Sequence, residues 1–224
     1  MSITIAIDGP SGSGKSTAAR LVARRLQIKY VDTGAMYRVV TLAALKKNYD
    51  FSRPENIVRL SKNLSIEFGE LNKDSGQKVY MDGEEVTGEI RKRDVDERVS
   101  DVAVISGVRE DMLEKQRQLA AEESVVMDGR DIGTRVLPDA DVKIYLTASL
   151  EERTRRRYRE LREKNIDISR EEVKKNLLMR DKKDSSRSHS PLRKADTAVE
   201  IDSDNMTPKE VADRIIELAE KGEE

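Results

Sequence analysis

Residues Gly9-Pro10-Ser11-Gly12-Ser13-Gly14-Lys15-Ser16 match the pattern G-x-x-x-x-G-K-[ST], and they stand between two stretches of different periodicity. Ahead lies a short β-branched run, Ile3–Ile7; behind lies a helical stretch ending near Leu26. A strand that turns through a glycine-rich loop straight into a helix leaves few folds open. Such a loop aims successive backbone N–H groups and the positive end of a helix at one point, where phosphate oxygens bind. Lys15 is placed to bridge the β- and γ-phosphates of a nucleoside triphosphate, and the Ser16 hydroxyl to ligate Mg²⁺. A Gly/Ser-rich turn that matched by chance would lack the strand and helix on either side.

Four further apolar runs stand far apart: Ile28–Val31, Val125–Met127, Val142–Leu146 and Ala198–Ile201. Runs apolar on both faces suit central strands of a covered parallel sheet. Helix signals lie between them. Ser149 with Glu152, Ser169 with Glu172 and Thr207 with Glu210 have capping-box spacing, and Pro208 fits a first helical position. Val95, Val99 and Val102, then Met112–Leu119, also keep helical spacing. The pattern predicts an α/β fold, a doubly wound five-stranded parallel sheet. From Leu64 to Val86 the rhythm changes to short alternating pieces with Asp82-Gly83 as a hairpin cue, which reads as a small antiparallel insertion. The expectation is one domain over residues 1–224, with the insertion at about 62–90.

Composition narrows the chemistry. The 224 residues include no Cys and one His, His189, so thiolate catalysis, Cys-ligated zinc and His-cluster metal sites are excluded and a Ser-His-Asp triad is disfavoured. Charged residues are 38% of the chain, yet the formal net charge is only −1. That figure hides an asymmetry: Glu151–Lys194 carries 16 basic and 9 acidic residues, net +7, leaving −8 on the rest. No apolar run approaches the roughly 20 residues a bilayer requires, and no secretory signal pattern opens the chain. These features suggest a cytoplasmic protein, monomeric, with neither membrane nor nucleic acid as partner. Aromatics are only 4% of residues, so the basic helix has no stacking platform for RNA.

A second charged loop, Asp128-Gly129-Arg130-Asp131, follows the run Ser124–Met127, at the sheet edge where α/β proteins bind ligands. Asp128 is placed to reach Mg²⁺ or its water shell. Arginines recur at Arg38, Arg130, Arg153, Arg155, Arg156, Arg157, Arg159, Arg180 and Arg187. A kinase acting on an alcohol usually needs a base, whereas a phosphate acceptor is already ionised near pH 7 and needs charge neutralisation instead. Arginine forks supply it. Most of the Arg153–Arg159 run reads as a solvated face, with Arg153 and Arg157 sharing one side and Arg156 to the other.

These residues together resemble the bacterial cytidylate kinases, a family of P-loop nucleoside-monophosphate kinases. The resemblance covers nearly the whole chain. It rests on Ile5-Ala6-Ile7-Asp8-Gly9 and the loop after it, and on Asp32-Thr33-Gly34-Ala35-Met36-Tyr37-Arg38. Gly88-Glu89-Ile90-Arg91, Val108-Arg109-Glu110, Asp128–Thr134, Arg180-Asp181 and Asp184…Arg187…Pro191-Leu192 extend it.

The resemblance implies transfer of the ATP γ-phosphoryl group to CMP or dCMP with Mg²⁺. ATP would be held by Gly9, Pro10, Ser11, Gly12, Ser13, Gly14, Lys15, Ser16 and Thr17. The CMP phosphate would meet Arg38, Arg130 and Arg187. Ser100, Arg109 and Asp131 would read cytosine beside Thr33, while Tyr37, Arg180 and Asp184 would approach the ribose; from the residues alone, Ser100 and Arg109 read as surface helix positions. Asp128 would lie close by. A helical lid at about 153–168 would bring Arg153, Arg156 and Arg157 over the transferring group. Two positions depart from the common pattern: Thr33 where many members have Ser, and Ser16 where some have Gly. Rival readings are another small P-loop kinase, or a nucleotide-dependent switch that binds without catalysis.

Overall fold

The computed structural model describes residues 2–72, 76–163, 165–187 and 190–221. His189, positions 73–75 of the expected insertion and position 164 of the expected lid lie outside the described residues. In chain order the elements are β1 (Thr4–Asp8), α1 (Lys15–Leu26), β2 (Lys29–Asp32), α2 (Thr33–Lys46) and α3 (Pro54–Asn63). Next come β3 (Ile66–Asn72), β4 (Gly76–Met81), β5 (Glu84–Glu85), α4 (Arg93–Val102), α5 (Ser106–Ala121) and β6 (Val125–Gly129). The chain finishes with β7 (Val142–Thr147), α6 (Leu150–Glu163), α7 (Arg170–Ser185), β8 (Val199–Asp202) and α8 (Pro208–Lys221).

The main sheet is five-stranded in the order β2-β6-β1-β7-β8, and a separate three-stranded sheet runs β3-β4-β5. The α/β expectation and the antiparallel insertion are both found. The chain divides into two compact units: residues through Lys29 with those from Glu123 onward, and Tyr30–Glu122.

In the first unit, β1 pairs in parallel with β6 from Thr4↔Val125 to Asp8↔Gly129, and with β7 from Ile5↔Val142 to Asp8↔Tyr145. Ile5, Ala6, Ile7, Val125, Val126 and Met127 are fully shielded, as strands covered on both faces require. The other runs depart from that description. β7 alternates buried and half-buried positions, and β8 lies at the sheet edge with only Ile201 buried. For β8, the edge position set by sheet order accounts for the exposure. α1 packs on α8; Ala18, Ala19, Val22 and Ala23 are buried on the first helix, and Val211, Ala212, Ile215 and Ala219 on the second. Helices α6 and α7 share their own cluster of Leu161, Val173 and Leu177, with Leu150, Tyr158 and Ile168 around it.

In the second unit, Asp82 and Gly83 both adopt positive φ, 51° and 84°, in the two-residue turn between Met81 and Glu84. This is the hairpin geometry for which Asp-Gly is favoured.

Two of the three predicted capping boxes form completely. Ser169 Oγ accepts from Glu172 N while Glu172 returns to the Ser169 N–H, and Thr207 and Glu210 do the same. The third is only half built. Ser149 Oγ accepts from Glu152 N, but the Ser149 N–H donates to Asp204 at 2.7 Å, and the Glu152 carboxylate turns to Arg155 and Arg156. Charged partners outcompete a neutral N–H for a carboxylate.

Gly9 has φ 150°, and a Cβ there would stand 2.0 Å from the Leu146 carbonyl oxygen. That contact is with backbone, which cannot swing aside. Gly9→Ala should destabilise the protein by about 2 kcal/mol or more in urea unfolding; a change under about 0.5 kcal/mol would contradict this packing of β1 against β7.

Candidate active site

The loop after β1 enters α1 through Gly14 in the left-handed region, φ 94°. Thr17 and Ala18 donate back to the Gly14 carbonyl, at 3.1 and 3.0 Å. No side chain caps α1 and no acidic residue occupies its first turn. The end of this helix therefore presents a positive dipole without internal compensation, as anion binding requires.

Lys15 is buried, with Nζ donating to the Pro10 carbonyl at 2.8 Å. Burial lowers its pKa well below the ordinary lysine value, and Arg130 lowers it further. Asp128 and Asp8 act in the opposite sense, and Arg180 adds to the positive field. Four residues from three parts of the chain thus converge electrostatically on one ammonium.

Ser16 Oγ donates to Asp128 Oδ2 at 2.7 Å. Asp128 belongs to the end of β6, which runs two residues further than the apolar run suggested. A hydroxyl and a buried carboxylate side by side are hard oxygen donors, and this pair fits a Mg²⁺ ion that keeps most of its water.

Asp184, 2% exposed, holds two arginines: Arg130 through Nε at 2.7 Å, and Arg187 through a terminal guanidinium nitrogen. Arg130 also donates to the Gly129 carbonyl at 3.2 Å. Asp131 is buried, and Asp8 accepts from the Ile132 and Gly133 N–H groups, each at 2.8 Å. Burial pushes the Asp8 carboxyl up to about 6; those two N–H groups resist the shift, while the Asp131 charge adds to it.

Of the expected lid arginines, Arg153 and Arg156 both turn toward the glycine-rich loop. Arg153 donates to Asp181 at 2.6 Å and to the carbonyls of Ser11 and Ala148, each at 3.1 Å. Arg156 reaches the Ser203 carbonyl at 2.6 Å, Ser203 Oγ at 3.0 Å and the Ser13 carbonyl at 3.4 Å. Arg157 pairs with Glu160 on its own helix. Arg153 and Arg156 thus both contact the glycine-rich loop, while Arg155 and Arg159 are exposed as a solvated face would be.

Thr33, Tyr37, Arg38, Ser100 and Arg109 all belong to the second unit. Asp32 caps α2 by accepting from Ala35 N at 3.0 Å, which fixes the first turn carrying Thr33 and leads into Tyr37 and Arg38. Arg38 donates to the Ile90 carbonyl at 3.1 Å and pairs with Asp96. The Arg109 guanidinium lies 5.6 Å from the Tyr37 ring centroid and donates to the Ala103 carbonyl at 3.2 Å. Arg109 is 7% exposed, so a surface-helix reading of it is incorrect, while Ser100 is half-buried on α4. A long arginine folds over an aromatic ring when one is within reach, and that proximity is not visible in sequence.

A family model described as cytidylate kinase matches residues 5–221. The chain belongs to the cytidylate kinase family. It is 49% identical over 219 residues to the cytidylate kinase of Bacillus velezensis and 48% identical over 219 residues to that of Bacillus subtilis. Both alignments cover 98% of this chain and 97% of the relative. The cytidylate kinase of Caldanaerobacter subterraneus subsp. tengcongensis is 46% identical over 221 residues, covering 99% and 96%. Within this member of the cytidylate kinase family, Asp8, Asp181 and Ser203 escaped the sequence reading as parts of the site. Asp8 carried a signal as an acid at the end of an otherwise apolar strand, and Asp181 stood in the Arg180-Asp181 motif without a role assigned to it.

The raised Asp8 carboxyl makes folding pH-dependent. Because the folded state holds this proton more tightly than the unfolded chain, its contribution is complete below pH 3.8 and is lost as pH rises through about 6. The swing is on the order of 3 kcal/mol. Between about pH 4.5 and 6.5, stability of the parent should fall relative to that of Asp8→Asn in urea titrations. Parallel pH dependence in the two proteins would contradict the raised carboxyl.

Proposed function

We propose that this chain transfers the γ-phosphoryl group of ATP to CMP or dCMP, giving ADP and CDP or dCDP, as a cytoplasmic monomer in pyrimidine nucleotide metabolism. Membership of the cytidylate kinase family supports the reaction. The observation that carries it is the pair Arg130 and Arg187 locked on the buried carboxylate of Asp184. A donor site needs one cluster of cations; a second, pre-fixed arginine pair suits a second anion.

In this reading Gly9–Thr17 hold ATP, with Lys15 on the β- and γ-phosphates. Ser16 and, through water, Asp128 hold Mg²⁺, which neutralises phosphate charge and orients the donor. Arg38, Arg130 and Arg187 hold the acceptor phosphate. No general base is required, because a phosphomonoester with a second pKa of about 6 is already ionised at neutral pH. Arg153, Arg156 and Arg157 serve as the lid cations, and exclusion of water by the lid limits wasteful hydrolysis. Catalysis is then positioning and electrostatic stabilisation, with no covalent intermediate.

Base recognition falls to Ser100, Arg109 and Asp131, with Thr33 alongside. Cytosine offers O2 and N3 as acceptors and N4 as a donor, so Arg109 donates to the first pair and Ser100 or Asp131 accepts from N4. Uracil reverses the pattern at N3 and position 4, leaving buried groups unpaired. Tyr37, Arg180 and Asp184 approach the ribose.

Arg130→Ala and Arg187→Ala should each lower CMP-dependent ATP consumption by about 100-fold or more, the scale seen when one charge-stabilising donor is lost. Undiminished consumption in both variants would contradict the assignment of this arginine pair to the acceptor phosphate, and absence of CMP-dependent consumption in the parent protein would favour a nucleotide-binding switch.

A further inference from the structure

We propose that Asp8 is a positioning residue for the acceptor loop: its carboxylate fixes where Arg130 and Asp131 stand relative to the glycine-rich loop that begins one residue later. The inference rests on the role assigned to Arg130 above.

The geometry is a clamp on two residues. On the N-terminal side, Gly129 of β6 stands in register with Asp8 of β1. On the C-terminal side, Asp8 Oδ1 accepts from Ile132 N and Oδ2 from Gly133 N, both at 2.8 Å and both buried. Arg130-Asp131 is therefore the short span between two attachments to the same residue. The end of β1 cannot move to relieve a change there, because Gly9 already lies against the Leu146 carbonyl with no room for a Cβ. The two N–H groups open the π-turn at Ile132–Val136, where a helical turn lacks internal acceptors for its first donors.

The choice of residue follows from this arrangement. Two N–H groups approach two separate oxygens, and only a carboxylate of this length presents two acceptors. Asparagine presents one acceptor and one NH₂ group, so one of the buried N–H groups would face a donor. A carboxylate here is held against the resistance of burial, which raises its pKa to about 6. A residue kept for stability alone would avoid that opposition. Its electrostatic effect on Lys15 is smaller than those of burial, Arg130 and Asp128.

The test is steady-state kinetics and calorimetric CMP binding for Asp8→Asn, with thermal unfolding to verify folding. The CMP KM and the CMP dissociation constant should rise by about tenfold or more, while the ATP KM changes by less than about threefold. A purely structural residue would move both substrates together. Equal rises for ATP and CMP, or no change in either, would overturn the inference. If Asp8→Asn does not fold, Asp8→Glu keeps both acceptor oxygens but displaces them by one methylene, and carries the same expectation. Arg130→Ala measured alongside separates the two claims. If Arg130→Ala weakens CMP and the Asp8 variant does not, the positioning role fails and the role of Arg130 stands. If Arg130→Ala leaves CMP binding intact, the role of Arg130 fails, and the positioning claim falls with it.

Discussion

An ammonium shut away from water has to be balanced by charges that are themselves held in place, and Lys15 imposes that requirement on the first unit. It sits at the mouth of α1 with Asp128 and Asp8 favouring its charge and Arg130 and Arg180 opposing it. Three of these neighbours are in turn anchored. Asp128 receives Ser16, Asp8 receives two backbone N–H groups, and Arg130 is tied to Asp184. Within this balanced set, Lys15, Arg130 and Arg180 are the fixed cations that the negative charge of a polyphosphate would meet. The parallel pairing of β1 with β6 brings the glycine-rich loop and the Asp128–Asp131 loop to the same sheet edge, so fold and charge balance are one problem.

The chemical inventory follows the same logic. A chain with no Cys and a single His has few nucleophiles or bases that work near neutral pH. Transfer between two phosphates needs neither, only fixed cations and exclusion of water. The net charge of −1 conceals this, because the basic stretch Glu151–Lys194 is offset by acidic sequence elsewhere. Within that stretch, Arg153 and Arg156 are bound to backbone of the glycine-rich loop, and the exposed Arg155 is paired with Glu152. The carboxylate of Glu152, pulled down to about 2 chiefly by Arg155, holds that outer arginine on its own helix.

What could be read from sequence was local. The strand–loop–helix around Gly9–Ser16, the Asp82-Gly83 turn and the Ser169–Glu172 box each depend on neighbours within a few residues, and each formed. What could not be read depended on distant partners. Asp204 takes the Ser149 N–H from 55 residues away, and this leaves the Ser149–Glu152 box half built. Ser203 and Ser13 redirect Arg156, while Tyr37 lies within cation–π reach of Arg109. Residue type identified the arginines as phosphate partners, but only tertiary geometry distinguishes Arg153, bound to the loop, from Arg159, exposed to solvent.

The central claim is that the second anion is a cytidine monophosphate. A coupled assay of ATP consumption across CMP, dCMP, UMP, AMP and GMP at one concentration tests it most directly. The account predicts turnover with CMP or dCMP, and rates lower by about a hundredfold or more with the other three, since a mismatched base leaves buried polar groups unpaired. Turnover of UMP, AMP or GMP equal to or greater than that of CMP would contradict it.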